Sequence, residues 1–495
     1  MKTFILSLLL LPALSAQAWI YDFPTLEDAT AYTGNYAPVA APSAVSPDGT
    51  IYQTGLYDQM TMIGEDVLEN IATSAFITAM DTLNRVPKWS VGIQGAAHIT
   101  QIITDATGEN IYVAGTFADD ITLGSSDFNT QSFTGTTESH NQVNAFVAKY
   151  SKAGSLQSVL PIIPQKNVRY GYYESDLIIN PTSLALFDGK LYIGLTYMGG
   201  YTAGSVTRYG TVKSSFGYWD SLCGAILAWD GSSEVKDVLD VRSSDAVSTT
   251  GLCPQSLCLT ASDKALYAGI FAGGTVTLTV NGKSGEYSFS YEEEGDVEYG
   301  ALLVKMDAAG HTVKQFNCAA SGRYYKNNVI KSMQIRDDAL YLSGCISTPL
   351  PFKDSLVPDL WSDQFAVCLN ADTYATRWAY ITGALRDDMP DTNAKYRQTV
   401  AATLAGSDYI VAGTVNFSAG KDGQVADYGT DYCLGVSAGA STLALTTKTA
   451  EGAQLRVTRF TPVADNPANP YDIDGDGMVS VSDITTLIDI YLSGE

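Results

Sequence analysis

Ile111-Tyr112-Val113-Ala114-Gly115 is one copy of a short phrase that recurs along this chain of 495 residues. Each copy begins with a hydrophobic residue, usually next to a tyrosine, and ends in glycine after small or β-branched residues. The other copies are Ile51–Gly55, Leu191–Gly194, Leu266–Gly269, Leu340–Gly344 and Tyr409–Gly413. With positions 52, 112, 192, 267, 341 and 410 as anchors, successive copies are 60, 80, 75, 74 and 69 residues apart. Self-similarity at such spacings is typical of repeat architectures.

A second phrase alternates with the first, once in each interval. It consists of an apolar strand, a polar turn that often contains glycine, and another strand. Its copies start near Ala75, Ala145, Ala225, Ala301, Gln364 and Thr442. A small-residue strand such as 99–103 precedes each tyrosine phrase, and no long amphipathic helical pattern appears between residues 40 and 463. Each repeat therefore predicts four short strands.

Six repeats of four strands predict an all-β fold, a six-bladed β-propeller of four-stranded blades over residues 19–463. Blades that pack around an axis cover each other's faces, which a single sheet cannot do alone. The body resembles the Tyr-Val-x-Gly type of bacterial propeller repeat. Two stacked β-sandwiches are the alternative, but they give no reason for the two phrases to stay in register.

The connections within the repeats differ systematically in length. Turns between the first and second strands, and between the third and fourth, are short. Long connections join the second strand to the third (118–143 and 198–223) and one repeat to the next (165–181 and 384–398). In an antiparallel four-stranded blade these long connections leave from the same end. We therefore expect a binding site among these loops, over a rigid body.

The long connections are rich in aromatic residues that have polar neighbours. The candidate ligand-binding residues are Tyr172, Tyr173, Trp219, Tyr324, Tyr325 and Tyr396. Flat apolar rings beside hydrogen-bonding groups suit a glycan, and tyrosine and tryptophan equally suit an extracellular protein partner. Packing between blades is the alternative role for each of these rings.

Charge and the N-terminal residues restrict the class of protein. The formal charge of −24, from 53 acidic and 29 basic residues, argues against binding to nucleic acid or anionic membranes. Residues 1–18 have a lysine, an apolar stretch and a small-residue end, so they predict a signal peptide cleaved after Ala18. We expect a secreted or cell-surface protein without a membrane span. Among seven cysteines, Cys253 and Cys258 are close enough to pair, and most of the others fit small core positions.

The residues near the C-terminus predict a calcium site. Asp472, Asp474, Asp476 and Asp483 occupy positions 1, 3, 5 and 12 of a loop with Gly477 at position 6. Calcium prefers six to eight oxygen ligands, and a glycine at position 6 allows the sharp turn that gathers them. Met478 at position 7 offers its backbone carbonyl, and Ser480 at position 9 can hold a bridging water. A solvated acidic turn is the alternative.

This EF-hand-like loop runs into a helical pattern of Ile484, Leu487, Ile488 and Tyr491, and residues 471–495 resemble a type I dockerin repeat. The resemblance implies calcium as cofactor and a cohesin-like partner. Dockerins normally carry two such repeats, whereas this chain has one. Residues 464–470 contain Pro467 and Pro470 and predict a stiff linker.

Little in the sequence indicates catalysis. His98, His140 and His311 are scattered, and the chain contains no nucleophile elbow, metalloprotease motif or phosphate loop. The sequence therefore predicts a secreted, non-catalytic binding or scaffold protein, bacterial in character. The alternative is an extracellular polysaccharide-degrading enzyme of glycoside hydrolase type, because dockerin-like tails accompany such enzymes.

We expect the double substitution Asp472→Ala and Asp483→Ala to abolish calcium binding, because it removes the first and last side-chain ligands. Isothermal titration calorimetry of the mature protein measures the change. Asp465→Ala, in the linker, is the matched control and should leave the titration unaltered. An unchanged titration in the double variant would refute the assignment of the site.

Overall fold

The computed structural model is all-β over the residues that it describes. These are 42–57, 59–63, 65–69, 73–81, 86–124, 131–134, 142–165, 177–210, 212–214, 218–220, 222–232, 234–243, 256–289, 299–317, 329–346, 350–352, 363–384, 396–405, 408–416, 431–436, 440–448 and 453–462. Among them we find no helix of the length and hydropathy that a membrane crossing requires. The expected signal peptide, linker and calcium module lie outside these ranges.

The described strands group into six antiparallel units of four strands, most with a strand or hairpin inserted after the second strand. Unit 1 contains β1 (Ser43–Val45), β2 (Ile51–Tyr57), the inserted β3 (Thr61–Ile63) and β4 (Asp66–Leu68), β5 (Ser74–Asp81) and β6 (Val86–Gln94). Unit 2 contains β7 (Ala97–Thr104), β8 (Asn110–Phe117), the inserted β9 (Asp120–Leu123) and β10 (Gln131–Thr134), β11 (Gln142–Ser151) and β12 (Leu156–Gln165). Unit 3 contains β13 (Leu177–Phe187), β14 (Lys190–Tyr197), the inserted β15 (Gly200–Ala203), β16 (Val206–Tyr209), β17 (Val212–Ser214) and β18 (Tyr218–Asp220), then β19 (Cys223–Trp229) and β20 (Val235–Ser243).

The remaining units follow the same plan with local differences. Unit 4 contains β21 (Ser256–Ala261), β22 (Ala265–Val280), β23 (Lys283–Phe289), β24 (Tyr299–Asp307) and β25 (Gly310–Asn317), and the second half of β22 forms its insertion with β23. Unit 5 contains β26 (Val329–Arg336), β27 (Ala339–Ile346), β28 (Asp363–Asn370) and β29 (Thr376–Ala384). Unit 6 contains β30 (Tyr396–Ala405), β31 (Asp408–Asn416), the inserted β32 (Asp431–Val436), β33 (Ala440–Lys448) and β34 (Ala453–Pro462). In unit 6 the pairing order is β30–β31–β34–β33, so its last two strands are exchanged relative to the other units.

Most of the hydrophobic core of the described residues lies between the units rather than inside them. Five clusters of buried side chains are each shared by two successive units, from the pair of units 1 and 2 to the pair of units 5 and 6. The third strand β11 shows how one strand contributes to two of these clusters. Ala145 and Val147 pack towards unit 3, whereas Phe146 and Ala148 pack towards unit 1. Because side chains alternate across a strand, a strand covered on both faces must be apolar at successive positions.

Units 2 to 5 thus have a neighbour on each face of their sheets, which two separate sandwiches would not provide. The first strands of successive units are also neighbours, in the order β1, β7, β13, β21, β26 and β30. No extensive contact joins β30 back to β1 among the described strands, and the sheets remain open. The all-β class predicted from the sequence is confirmed. The described sheets do not show a closed six-bladed ring.

The glycine that ends each tyrosine phrase provides room for a close approach. Gly344 faces Phe365 on the third strand, and a Cβ at Gly344 would lie 1.8 Å from the carbonyl oxygen of Val329 on the first strand. Gly115 is similarly crowded, with the carbonyl oxygen of His98 at 2.4 Å from the position of a Cβ. At Gly115 and Gly344 a carbonyl of the first strand and an aromatic ring of the third strand converge, so a side chain has no room there.

We expect Gly344→Ala to destabilise the protein by about 1–3 kcal/mol or more, because the backbone of the first strand would have to move. Urea unfolding measures the change. Gly285→Ala in β23 is the control, since its Cβ would meet only the side chain of Tyr287 at 3.3 Å. That substitution should change the free energy of unfolding by less than about 0.5 kcal/mol. Equal effects of the two substitutions would contradict the steric account.

Candidate recognition surfaces

The antiparallel order gives each unit two different ends. The turn end carries the short connections between the first and second strands and between the third and fourth. The loop end carries the insertions and the connections from one unit to the next. The candidate residues of the sequence analysis belong to the loop end.

The structure locates only two of the six aromatic candidates. Trp219 lies in β18, where its backbone pairs with Lys213 of β17. Tyr396 begins β30 and pairs with Asn416. Tyr172, Tyr173, Tyr324 and Tyr325, like the calcium ligands Asp472, Asp474, Asp476, Met478 and Asp483, lie outside the described residues. Their proximity to one another therefore stays a prediction.

A buried polar cluster anchors the insertion of unit 3 at the loop end. The hydroxyl of Tyr197 donates a hydrogen bond to Asp240 at 3.1 Å, and Arg242 binds the other oxygen of that carboxylate. The ring of Tyr201, on the inserted β15, meets Tyr197 edge to face with centroids 4.9 Å apart. Burial, together with nearby Cys223 and Asp240, raises the pKa of Tyr197 well above its ordinary value. The neutral side chains of Tyr197 and Tyr201 pack beside the ion pair of Asp240 and Arg242. This packing fixes the start of the insertion of unit 3.

His98 lies near the start of the first strand β7, at the loop end of unit 2. Burial lowers the pKa of its imidazole, so the side chain is neutral near pH 7. The described thiols have the same character: burial raises the pKa of Cys258 and of Cys368 to about 12. Cys258 is a free buried thiol, so it does not pair with Cys253. These groups are protected core residues rather than reactive ones.

The turn end contains a groove that the sequence analysis did not anticipate. It has a volume of about 430 Å³ and is open to solvent. Its lining consists of residues in the two turns of unit 2 and at the strand ends beside them: Glu109, Asn110, Ser151, Lys152, Ala153 and Gln157. These side chains offer hydrogen-bond donors and acceptors with one positive and one negative charge.

Lys152, one of the residues that line the groove, is held by the neighbouring unit. Its ammonium lies 2.8 Å from a carboxylate oxygen of Asp48 in unit 1 and 3.8 Å from Glu109. Asp48 also accepts hydrogen bonds from the hydroxyl of Ser46 and from the backbone of Thr50. The hydrogen bond from Lys152 is the largest cause of a lowered pKa at Asp48, and Asp48 in turn raises the pKa of Lys152. Lys152 is therefore a fixed cation and not a general base near neutral pH.

Trp89 completes the junction between units 1 and 2. Its indole N–H donates to the carbonyl of Lys152 at 2.9 Å, and its ring lies against Gly154. Gly154 has a φ of +83°, and a Cβ there would lie 2.8 Å from the indole, so the tight turn needs glycine for two reasons. The sequence signals are the turn around Asp48 and Trp89 in β6, but neither reveals a partner in the turn around Lys152, which is 63 residues along the chain from Trp89.

A related arrangement recurs around the turn end. Lys149 lies 5.8 Å from the ring centre of Tyr112, and Lys305 lies 6.0 Å from that of Tyr267. Each lysine is the cross-strand partner of its tyrosine. Lys305 also binds Asp372 of unit 5 at 2.7 Å. Tyrosines of the repeated phrase therefore serve as platforms for cations at this end of the units.

The Asp48–Lys152 pair predicts a pH-dependent contribution to stability. Because the pKa of Asp48 is lowered from the ordinary 3.8 in the folded protein, its contribution is complete above about pH 4 and disappears as the pH falls through the lowered pKa. We expect Asp48→Asn to lower the melting temperature slightly at pH 7, with the difference shrinking towards pH 2. The pair is exposed, so the effect is small.

A double-mutant cycle isolates this interaction. In a Lys152→Met background, Asp48→Asn should cost less than it does in the wild-type protein, because the partner charge is already gone. An equal cost in both backgrounds, or a difference that grows on acidification, would contradict the assignment.

Comparisons with known proteins do not show a family for this chain. No family model matches it, and no curated protein matches it. A solved structure described as "Glycoside hydrolase" is similar with a TM-score of 0.32 and 9% sequence identity, over 76% of this chain and 90% of that one. A similarity this weak carries no argument about fold or activity, so function has to be argued from the chain's own residues.

Proposed function

We propose that this chain is a secreted, non-catalytic binding protein that holds a glycan, or alternatively an extracellular protein, at its loop end. The observation that carries the proposal is the contrast between the two ends of the units. The units share their cores and are tied by short turns at one end, while the long connections leave together at the other. Irregular loops on a rigid body are the usual place for binding residues. The aromatic residues of these loops suit the apolar faces of sugar rings.

We also propose that the six units close into a six-bladed β-propeller. Six four-stranded units, cores shared by successive units, and first strands that follow each other from β1 to β30 support this arrangement. The sequence supports the same arrangement, since each interval between tyrosine phrases contains the residues of four short strands, enough for one blade.

The C-terminal residues add a calcium function to this proposal. The loop from Asp472 to Asp483 would bind calcium and order the helix that follows, so that the module attaches to the body or to a partner. Extracellular calcium modules of this kind bind at about 10⁻⁴–10⁻³ M, which suits an exported protein. A cohesin-like protein is the partner that the dockerin resemblance implies.

A glycan array with the mature protein, in calcium and again in chelator, tests the binding proposal. We expect a glycan to bind in both conditions, because the aromatic loops belong to the body and not to the calcium module. The double substitution Tyr172→Ala and Tyr173→Ala should weaken that binding at least about tenfold, because it removes aromatic rings that would stack on the sugar. Lys152→Ala, at the turn end, is the matched control and should bind as the wild type does.

Loss of binding in the Lys152 variant alone would move the site to the groove of unit 2. A silent array would contradict the glycan proposal and favour a protein partner. Hydrolysis of the bound glycan would contradict the non-catalytic role.

A further inference from the structure

The insertions of the later units follow a common rule. In units 2, 3, 4 and 6 one strand of the insertion pairs with the fourth strand of the preceding unit and extends its sheet. β9 of unit 2 pairs with β6, β15 of unit 3 with β12, β22 of unit 4 with β20, and β32 of unit 6 with β29. The insertion of unit 5 follows the rule through side chains, since Phe352 packs on Phe316 of β25 with ring centres 5.0 Å apart.

Apolar residues at alternate positions secure these contacts. Ile121 and Leu123 on β9 are 1% and 0% exposed, and they belong to the same cluster as Val91 and Ile93 of the acceptor strand. Tyr201 and Ala203 on β15 are both fully buried in the cluster that includes the acceptor strand β12. Leu160 and Ile162 are the residues of β12 in that cluster.

The hairpin of unit 1 has the same residue pattern, but its contact surface is uncovered. Ile63 and Leu68 pack inward on Tyr57 and Phe76 of its own unit. On the other face Met60 and Met62 are 72% and 68% exposed. Val67, the cross-strand partner of Met62, is 54% exposed.

The apolar pair follows the repeat glycine at different distances: Met60 and Met62 at five and seven residues, Ile121 and Leu123 at six and eight, and Tyr201 and Ala203 at seven and nine. The units therefore share the alternate spacing of the pair but not its distance from the glycine. Large apolar residues exposed together on one short hairpin indicate a contact surface. We call Met60, Met62 and Val67 the hairpin patch.

We propose that the hairpin patch docks on the outer strand of unit 6, β33, and so closes the ring of units within one chain. Among the described residues, the insertion of unit 1 has no acceptor strand, and β33 of unit 6 is an outer strand that no insertion contacts; β25 also ends its sheet but is covered by Phe352. β33 ends its sheet, and an uncovered edge strand normally needs a cover. The inference rests on the proposed six-bladed arrangement and names the contact that completes it.

The sequence of β33 suits this role. Leu443 and Leu445 are two residues apart on it, as Val91 and Ile93 are on the acceptor strand β6. Leu239 and Val241 repeat the pattern on the acceptor strand β20, where they are buried. Methionine is a flexible apolar side chain that adapts to such a strand without needing one exact shape.

Oxidation of the full-length protein by hydrogen peroxide, followed residue by residue by mass spectrometry, tests the coverage. Met80 is fully buried and serves as the internal reference. We expect Met60 and Met62 to oxidise at least about tenfold more slowly in the native protein than in the urea-unfolded chain, as Met80 does, because oxidation follows exposure. Oxidation of both at the unfolded rate would overturn the proposal.

Photo-methionine incorporation identifies the occupant. In the monomer fraction from size-exclusion chromatography, cross-links from positions 60 and 62 should lead to peptides within residues 440–462. Cross-links to residues 19–41 instead, or cross-links found only in a dimer fraction, would overturn closure by unit 6.

A pair of variants measures the energetic consequence. Met62→Lys should lower the melting temperature of the full chain, because a charge would be buried in the closure. Val86→Lys is the control: Val86 is 50% exposed on the same unit but outside the hairpin, and its substitution should have little effect. Equal melting temperatures for the Met62 variant and the wild type would contradict a closed ring.

These results are separable from the glycan proposal. Methionine protection does not depend on ligand binding, so a silent array with protected methionines refutes the binding proposal alone. Glycan binding that depends on Tyr172 and Tyr173, together with freely oxidised methionines, refutes closure alone.

Discussion

Burial of both faces of each sheet by its neighbours is the constraint on which the rest of this structure depends. A four-stranded sheet of short strands has too little apolar area on one face to be stable alone. Here the third strand of a unit is apolar at consecutive positions, as Ala145, Phe146, Val147 and Ala148 illustrate, and contributes to two cores at once. Each unit therefore stabilises the next, and stability is shared along the series. Among the described residues, units 1 and 6 each have one face without such a neighbour, and the exposed hairpin belongs to unit 1.

The first strands turn this series of packed sheets into a joined body. Thr100 and Thr182 are the extra residues of β-bulges opposite the repeat glycines, and their hydroxyls donate to carbonyls of the next first strand, those of Pro181 and Leu257. Ser256 accepts from the backbone N–H of Ile330 in the following unit at 2.8 Å. A β-bulge leaves one residue out of the hydrogen-bonded strand pairing and changes the direction of its side chain. The glycine, the bulge and the hydroxyl thus act together: the glycine admits the approach, and the hydroxyl satisfies the neighbouring carbonyl.

The two ends of the units carry different chemistry for a topological reason. Short turns bring residues of adjacent units within hydrogen-bond distance, so the turn end accumulates fixed pairs such as Asp48 with Lys152 and Lys305 with Asp372. The long connections at the loop end are not restricted in this way, and evolution can vary them without disturbing the shared cores. A charged groove at the turn end therefore reflects how the units are joined, whereas aromatic residues at the loop end are the better candidates for recognition.

The sequence by itself determined the class and the period. Alternation of the tyrosine phrase with the second phrase predicted strands and their order, because β-propensity, turn residues and glycine positions are local properties. The sequence also predicted that the long connections lie at one end of each unit. Antiparallel strands alternate in direction, so every second connection leaves from the same end. The aromatic candidates and the calcium loop rest on residue types and spacing, and they stay predictions.

Only the tertiary structure decided which distant residues meet. No local pattern reveals that Lys152 would pair with Asp48, that Trp89 would lie on Gly154, or that Thr100 would reach Pro181. These contacts depend on how two units are rotated and spaced, which is set by the volumes of many core side chains together. Likewise, Met62 and Leu123 are both large apolar residues of an insertion, and only packing distinguishes the exposed residue from the buried one.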